Sequence, residues 1–112
     1  MITLEDIIEI DITQSQLDEH KTYYPYKIDK PDKKFFIITS SGKKVYFGQA
    51  SASDFTIHKD EDRKLRYIKR HEKNENWNKS GIDTSGFWSR WYLWNLPTLK
   101  GSYEDIKKRF LN

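Results

Sequence analysis

KKFFIITSSGKKVYFG, residues 33–48, is the stretch whose reading decides the fold. Phe35-Phe36-Ile37-Ile38 and Val45-Tyr46-Phe47 are runs of aromatic and β-branched residues. Such side chains suit a pleated, half-buried surface. Ser40-Ser41-Gly42 lies between the runs and has the composition of a tight connection. Two such runs around a short glycine-containing loop predict a β-hairpin. Upstream, Tyr23, Tyr24, Tyr26 and Ile28 predict a further strand, which Pro25 and Pro31 confine to an edge or interrupt. The expectation is an antiparallel meander of about three strands over residues 22–48, ended by Gly48.

Downstream the signal changes period. Residues 60–74 predict the longest helix, with Asp60 as N-cap, Glu61 and Asp62 in the first turn, and Lys69, Arg70, His71 and Lys73 in the last. That charge order opposes the helix dipole favourably. GFWSRWYLWN, residues 86–95, predicts a second helix, stopped ahead of Pro97. Residues 103–111 predict a third, opened by Ser102 and Asp105 in the manner of a capping box. The fold class expected is therefore α+β: a small antiparallel meander packed against about three C-terminal helices by aromatic side chains.

Upstream of the strands the chain turns acidic. Residues 1–30 carry Glu5, Asp6, Glu9, Asp11, Asp18, Glu19 and Asp29 against Lys21, Lys27 and Lys30. The balance there is −4, so the remainder carries +7 of the net +3. Ile8, Ile10 and Ile12 alternate as in a strand, while Leu4, Ile7 and Ile8 have helical spacing, and both readings stay open. We read residues 1–21 as an acidic arm and 22–112 as a single domain. The arm docks on that domain or reaches a neighbour, and the basic body suits either internal pairing or phosphate.

A chain of 112 residues buries a modest share of its surface, so its core needs large side chains. An aromatic share of 15% supplies them. With no cysteine there is neither a disulfide nor a thiolate metal site, which fits a reducing compartment. No apolar run reaches the length of a bilayer span. The acidic start, without an apolar core segment, does not read as a secretory signal.

Large rings and cations concentrate between Asp54 and Asn95. On a helical wheel Lys59, Arg63, Arg66 and Arg70 share one face, with Lys64, Lys69 and Lys73 nearby and Leu65, Ile68 and Glu72 roughly opposite. Arginines at one-turn intervals fork onto phosphates, carboxylates or ring faces. Arg90, a candidate protein or phosphate contact alongside Lys59, Arg63, Arg66 and Arg70, sits among Trp88, Trp91 and Trp94, and Trp77 precedes them. These four tryptophans are candidates for core or for an aromatic contact surface. His58 with Asp60, and His71 with Glu75, are the only spacings that resemble metal ligands. Neither sits in a hydrolase or nuclease frame, and no phosphate loop or nucleophile elbow is present. The expectation is no enzyme, no metal and no cofactor.

A distinctive pattern runs through Val45-Tyr46-Phe47-Gly48, Ser53-Asp54-Phe55-Thr56, His58-Lys59-Asp60, Arg63, Arg66-Tyr67-Ile68, Arg70-His71 and Asn74-Glu75-Asn76-Trp77. It continues through Gly86-Phe87-Trp88-Ser89-Arg90-Trp91, Leu93-Trp94-Asn95, Pro97-Thr98-Leu99 and Ile106 to Phe110. In these residues the stretch 44–110 resembles a family of small uncharacterised proteins encoded by large double-stranded DNA viruses, including nucleocytoplasmic giant viruses and environmental viral genomes. Lys79–Ser85 departs from it and is expected to be a tolerant loop. The resemblance implies a viral origin and a shared fold, and no activity. The resulting expectation is a non-enzymatic viral structural protein, a minor virion or capsid-associated component that joins capsid subunits. It would be found in the virion and, during assembly, in host cytoplasm or nucleus. The alternative is a nucleic-acid-binding accessory that meets DNA or RNA through Lys59, Arg63, Arg66 and Arg70.

Overall fold

The computed structural model describes residues 21–28 and 31–111. The acidic segment 1–20, with its open strand-or-helix reading, lies outside the described residues. The chain divides between Ser51 and Ala52 into two compact units. The first holds a three-stranded antiparallel sheet and the second the helices, so the architecture is α+β.

In the first unit, β1 (Tyr26–Lys27), β2 (Lys33–Ile38) and β3 (Lys44–Gln49) form a meander in the order β1-β2-β3. The register sets Tyr26 and Tyr46 on either side of Phe36, and Phe47 opposite Phe35. Directly opposed residues share a face, so the aromatics sort into two sets. Phe36, Ile38 and Ile28 form a buried cluster with Tyr26 and Tyr46 against it. On the other face Phe35 and Phe47 stack with centroids 5.8 Å apart beside the fully buried Ile37. Both faces of β2 are buried, which its unbroken run of apolar residues anticipates. The β2–β3 loop closes as predicted. Thr39 N–H donates to Lys43 O at 2.8 Å and Gly42 N–H to Thr39 O at 2.9 Å. Gly42 takes φ +88°, a conformation that glycine adopts without a steric penalty. β1 is short and lies at an edge, bounded by Pro25 and Pro31.

The second unit opens with α1 (Phe55–His58), a single turn that the sequence reading passed over. Asp54 caps it, accepting from Thr56 N–H at 2.9 Å. Lys59 then takes φ +56°, the left-handed conformation that ends a helix, and lets the chain restart at Asp60. The predicted long helix is α2 (Glu61–His71), with Asp60 capping it: Oδ1 accepts from Asp62 N–H at 3.0 Å and Arg63 N–H at 3.3 Å.

The connector that follows is not a tolerant loop. Lys79–Gly81 forms a 3₁₀ turn, and Gly81 is buried so closely on Asn76 that a Cβ would lie 2.0 Å from the Asn76 carbonyl oxygen. Thr84 caps α3 (Ser85–Trp88), which runs into a π-helical turn, Ser89–Leu93. The predicted helix over 86–95 thus ends two residues early, where Trp94 N–H reaches back to Ser89 O at 3.1 Å. The last helix starts earlier than predicted. α4 (Leu99–Ile106) is capped by Thr98, whose Oγ1 accepts from Gly101 N–H at 3.0 Å, and continues as a π turn over Lys107–Leu111. Ser102, expected to open it, lies inside it, buried, accepting from Leu96 N–H at 3.1 Å. No helix among the described residues is long and apolar enough to cross a membrane.

Candidate functional site

α2 presents two faces of opposite chemistry. Its inner stripe is Tyr67, with Lys64, Ile68 and His71 half-buried; Lys64 lies three residues before Tyr67 and His71 four after it, with Ile68 adjacent. Helical spacing predicts Leu65, Ile68 and Glu72 on the inner side, yet Leu65 is 59% exposed. Tyr67 decides the orientation, because a buried ring removes more apolar area than a leucine. It lies parallel to Trp94, 4.4 Å between centroids and 3° between planes, and stacks at 6.3 Å with Trp77. His71 packs 4.5 Å from the same ring. Burial pushes the Tyr67 phenol up to about 12, and the nearby Glu75 charge adds to the rise.

Arg90 belongs to this interior. Its guanidinium lies 4.4 Å from the Trp91 centroid and 5.5 Å from that of Trp77. Nη1 donates to Trp94 O at 2.8 Å, taking a carbonyl at the end of its own helical run. Arg109 lies 4.9 Å over Trp91 and donates from Nε to Asp105 at 2.7 Å. Burial alone would raise Asp105, but hydrogen bonds from Asn95 and Arg109 outweigh it and hold the carboxyl below its usual range. The remaining indoles are also tied in. Trp91 Nε1 donates to Trp77 O at 2.9 Å, and the fully buried Trp88 donates to Ile82 O at 2.8 Å. The four tryptophans are packing elements, joined by ring contacts, cation–π contacts and backbone carbonyls.

The outer face differs. Arg63, Arg66, Lys69, Arg70 and Lys73 are exposed, and their side chains make no ion pair or hydrogen bond with another described residue. Arg66, Lys69 and Arg70 together line an open concavity of about 330 Å³. Lys59 does not join them. It precedes the helix in its left-handed conformation, and its Nζ donates to Thr56 O at 2.7 Å. The expected four-residue ladder is therefore Arg63, Arg66 and Arg70, completed by Lys69 and Lys73 rather than by Lys59.

His58 and His71 serve the backbone and the rings. His58 Nδ1 accepts from Asp60 N–H at 2.9 Å, and its ring lies 5.2 Å from Trp94. Burial pushes its imidazole below the ordinary histidine range, and the Arg63 charge pushes it further. Asp60 spends its carboxylate on the α2 cap. His71 Nδ1 and Glu75 Oε2 stand 3.9 Å apart. Among the described residues no three histidine, aspartate or glutamate side chains gather where a metal ion could sit.

Residues 26–71 match the model of a family described as "Family of unknown function (DUF5754)". The matched span takes in the whole meander, α1 and α2, and ends at His71. No curated protein and no solved structure matches the chain.

Proposed function

We propose that this chain is a non-enzymatic nucleic-acid-binding accessory protein whose contact surface is the outer face of α2. One observation carries the reading: Arg66, Lys69 and Arg70 converge on one open concavity and none of them is engaged by a carboxylate among the described residues. A guanidinium or ammonium left unpaired on a surface is free to exchange its counterions for phosphate. Arg90 and Lys59, by contrast, are committed to internal partners.

The test is a comparison of the wild type with Arg66→Gln/Lys69→Gln/Arg70→Gln in a fluorescence-anisotropy titration of labelled DNA and RNA. The variant loses about tenfold or more in affinity, since three phosphate contacts are removed, and keeps its melting temperature. Unchanged affinity in a folded variant refutes the assignment.

A second reading is supported by a different observation. Ile57 and Leu65, on α1 and α2, are 61% and 59% exposed. Aliphatic side chains left open in this way favour a protein partner. With the resemblance to viral proteins, they support a minor particle component that touches a capsid subunit. Mass spectrometry of purified particles tests it, and a protein missing from them at subunit stoichiometry ends the reading.

A further inference from the structure

We infer that the nucleic acid met by α2 is a duplex, held along its sugar–phosphate backbone by the flank of the helix, with no base stacked and no base read. This rests on the phosphate-binding reading above and adds the kind of strand.

Three features point to it. First, the face offers no ring. Proteins that hold single strands combine a basic groove with aromatic platforms on which bases stack. Tyr67, the aromatic residue of α2, is turned inward and covered by Trp94. Trp77 and Trp91 lie against Arg90, and Trp88 is fully buried. Among the described residues the exposed large hydrophobics are Ile57, Leu65 and Leu96, all aliphatic.

Second, the helix cannot meet phosphate end-on. A helix N-terminus is ordinarily an anion site because its free N–H groups point outward. Here Asp60 occupies two of those groups, and Glu61 and Asp62 add negative charge in the first turn. Phosphate is repelled from that end and meets the cations farther along, at Arg66, Lys69 and Arg70, with Lys73 beyond.

Third, the charge density fits. From Arg66 to Arg70 the helix rises about 6 Å. A duplex presents one phosphate charge per about 1.7 Å of its axis, so about three phosphates fall within that length. Three cations on one short flank suit that density better than the sparser charge of one strand.

The experiment uses the full chain and three probes: a mixed-sequence duplex of about 20 base pairs, a single strand of the same length, and inorganic tripolyphosphate as competitor. The duplex binds about tenfold or more tighter than the single strand, and a second, unrelated duplex binds within about twofold of the first. With three phosphates contacted, duplex affinity falls about 40-fold between 50 and 200 mM salt. Arg66→Gln/Lys69→Gln/Arg70→Gln removes the preference.

Equal or tighter binding of the single strand overturns this inference and leaves the phosphate-binding reading standing. So does a clear preference between the two duplexes, which would require base contacts. Efficient displacement by tripolyphosphate at equal concentration overturns it in favour of a small-anion site. Failure of every nucleic-acid probe overturns both the inference and the reading beneath it.

Discussion

Arg90 and Arg70 carry the same group to opposite ends. Arg90 lies between indole faces and donates to a helix-end carbonyl, so its charge is consumed inside the fold. Arg70, with Arg66, stands on the outer flank of α2 and engages no described carboxylate. The difference lies in what surrounds the group. A guanidinium becomes structural where rings cover its faces and an oxygen takes its N–H, and stays available where neither is present.

The sharpest way to break this contrast is truncation. Arg90→Ala removes the cation shared by Trp77 and Trp91 and leaves the Trp94 carbonyl without its guanidinium donor, costing about 3 kcal/mol of stability, while Arg70→Ala stays within about 0.5 kcal/mol. Urea unfolding of the two variants checks it, and equal midpoints would dissolve the distinction.

Alkaline pH probes the same interior. The Tyr67 phenol is raised from 10.0 to about 12 in the fold, so the native state keeps a proton that the unfolded chain releases first. The contribution is complete below pH 10 and is lost as pH rises through 12, with a size of up to about 3 kcal/mol. Tyr67→Phe removes that dependence. The difference between wild-type and variant melting curves across this window isolates Tyr67 from the chain's other tyrosines.

Gly81 and Gly86 sharpen the comparison on the framework that seats Arg90. A methyl at Gly81 meets the Asn76 backbone carbonyl, whereas one at Gly86 meets the mobile carboxylate of Glu75. Gly81→Ala therefore costs about 2 kcal/mol and Gly86→Ala under about 1 kcal/mol, measured by thermal melting. The smallest effect concerns the outer face. Asp60→Ala removes the α2 cap and costs about 1 kcal/mol. It also withdraws a negative charge from the end of the basic flank, so nucleic-acid affinity rises slightly in the same titration.

Much of this was legible in the residues. The β2–β3 hairpin follows from two apolar runs around Ser40-Ser41-Gly42, because turn chemistry and strand propensity agree there. The start of α2 was equally plain, since Asp60 and the acids behind it act locally. What escaped depends on packing between distant residues. Leu65 looked like a core residue until Tyr67 found Trp94. The π turn at Ser89–Leu93 leaves no periodic trace, because one extra residue per turn is chosen by how the rings fit. Thr98, directly after Pro97, was a cap signal within reach; Ser102 competed for the role because its side chain type suits a cap as well as a buried hydrogen bond. On the functional side, residue type and spacing alone do not distinguish Lys59, Arg63, Arg66, Arg70 and Arg90. Only coordinates separate the arginine that is enclosed from those that are open.

The parallel Tyr67–Trp94 pair has a practical consequence. Two chromophores held face to face in a chiral setting give a near-ultraviolet dichroism that vanishes once packing loosens, even while helical content persists. Because one ring belongs to α2 and the other closes the π turn, that optical signal is a built-in gauge of their docking. It can be followed without a label while the basic flank is loaded with ligand.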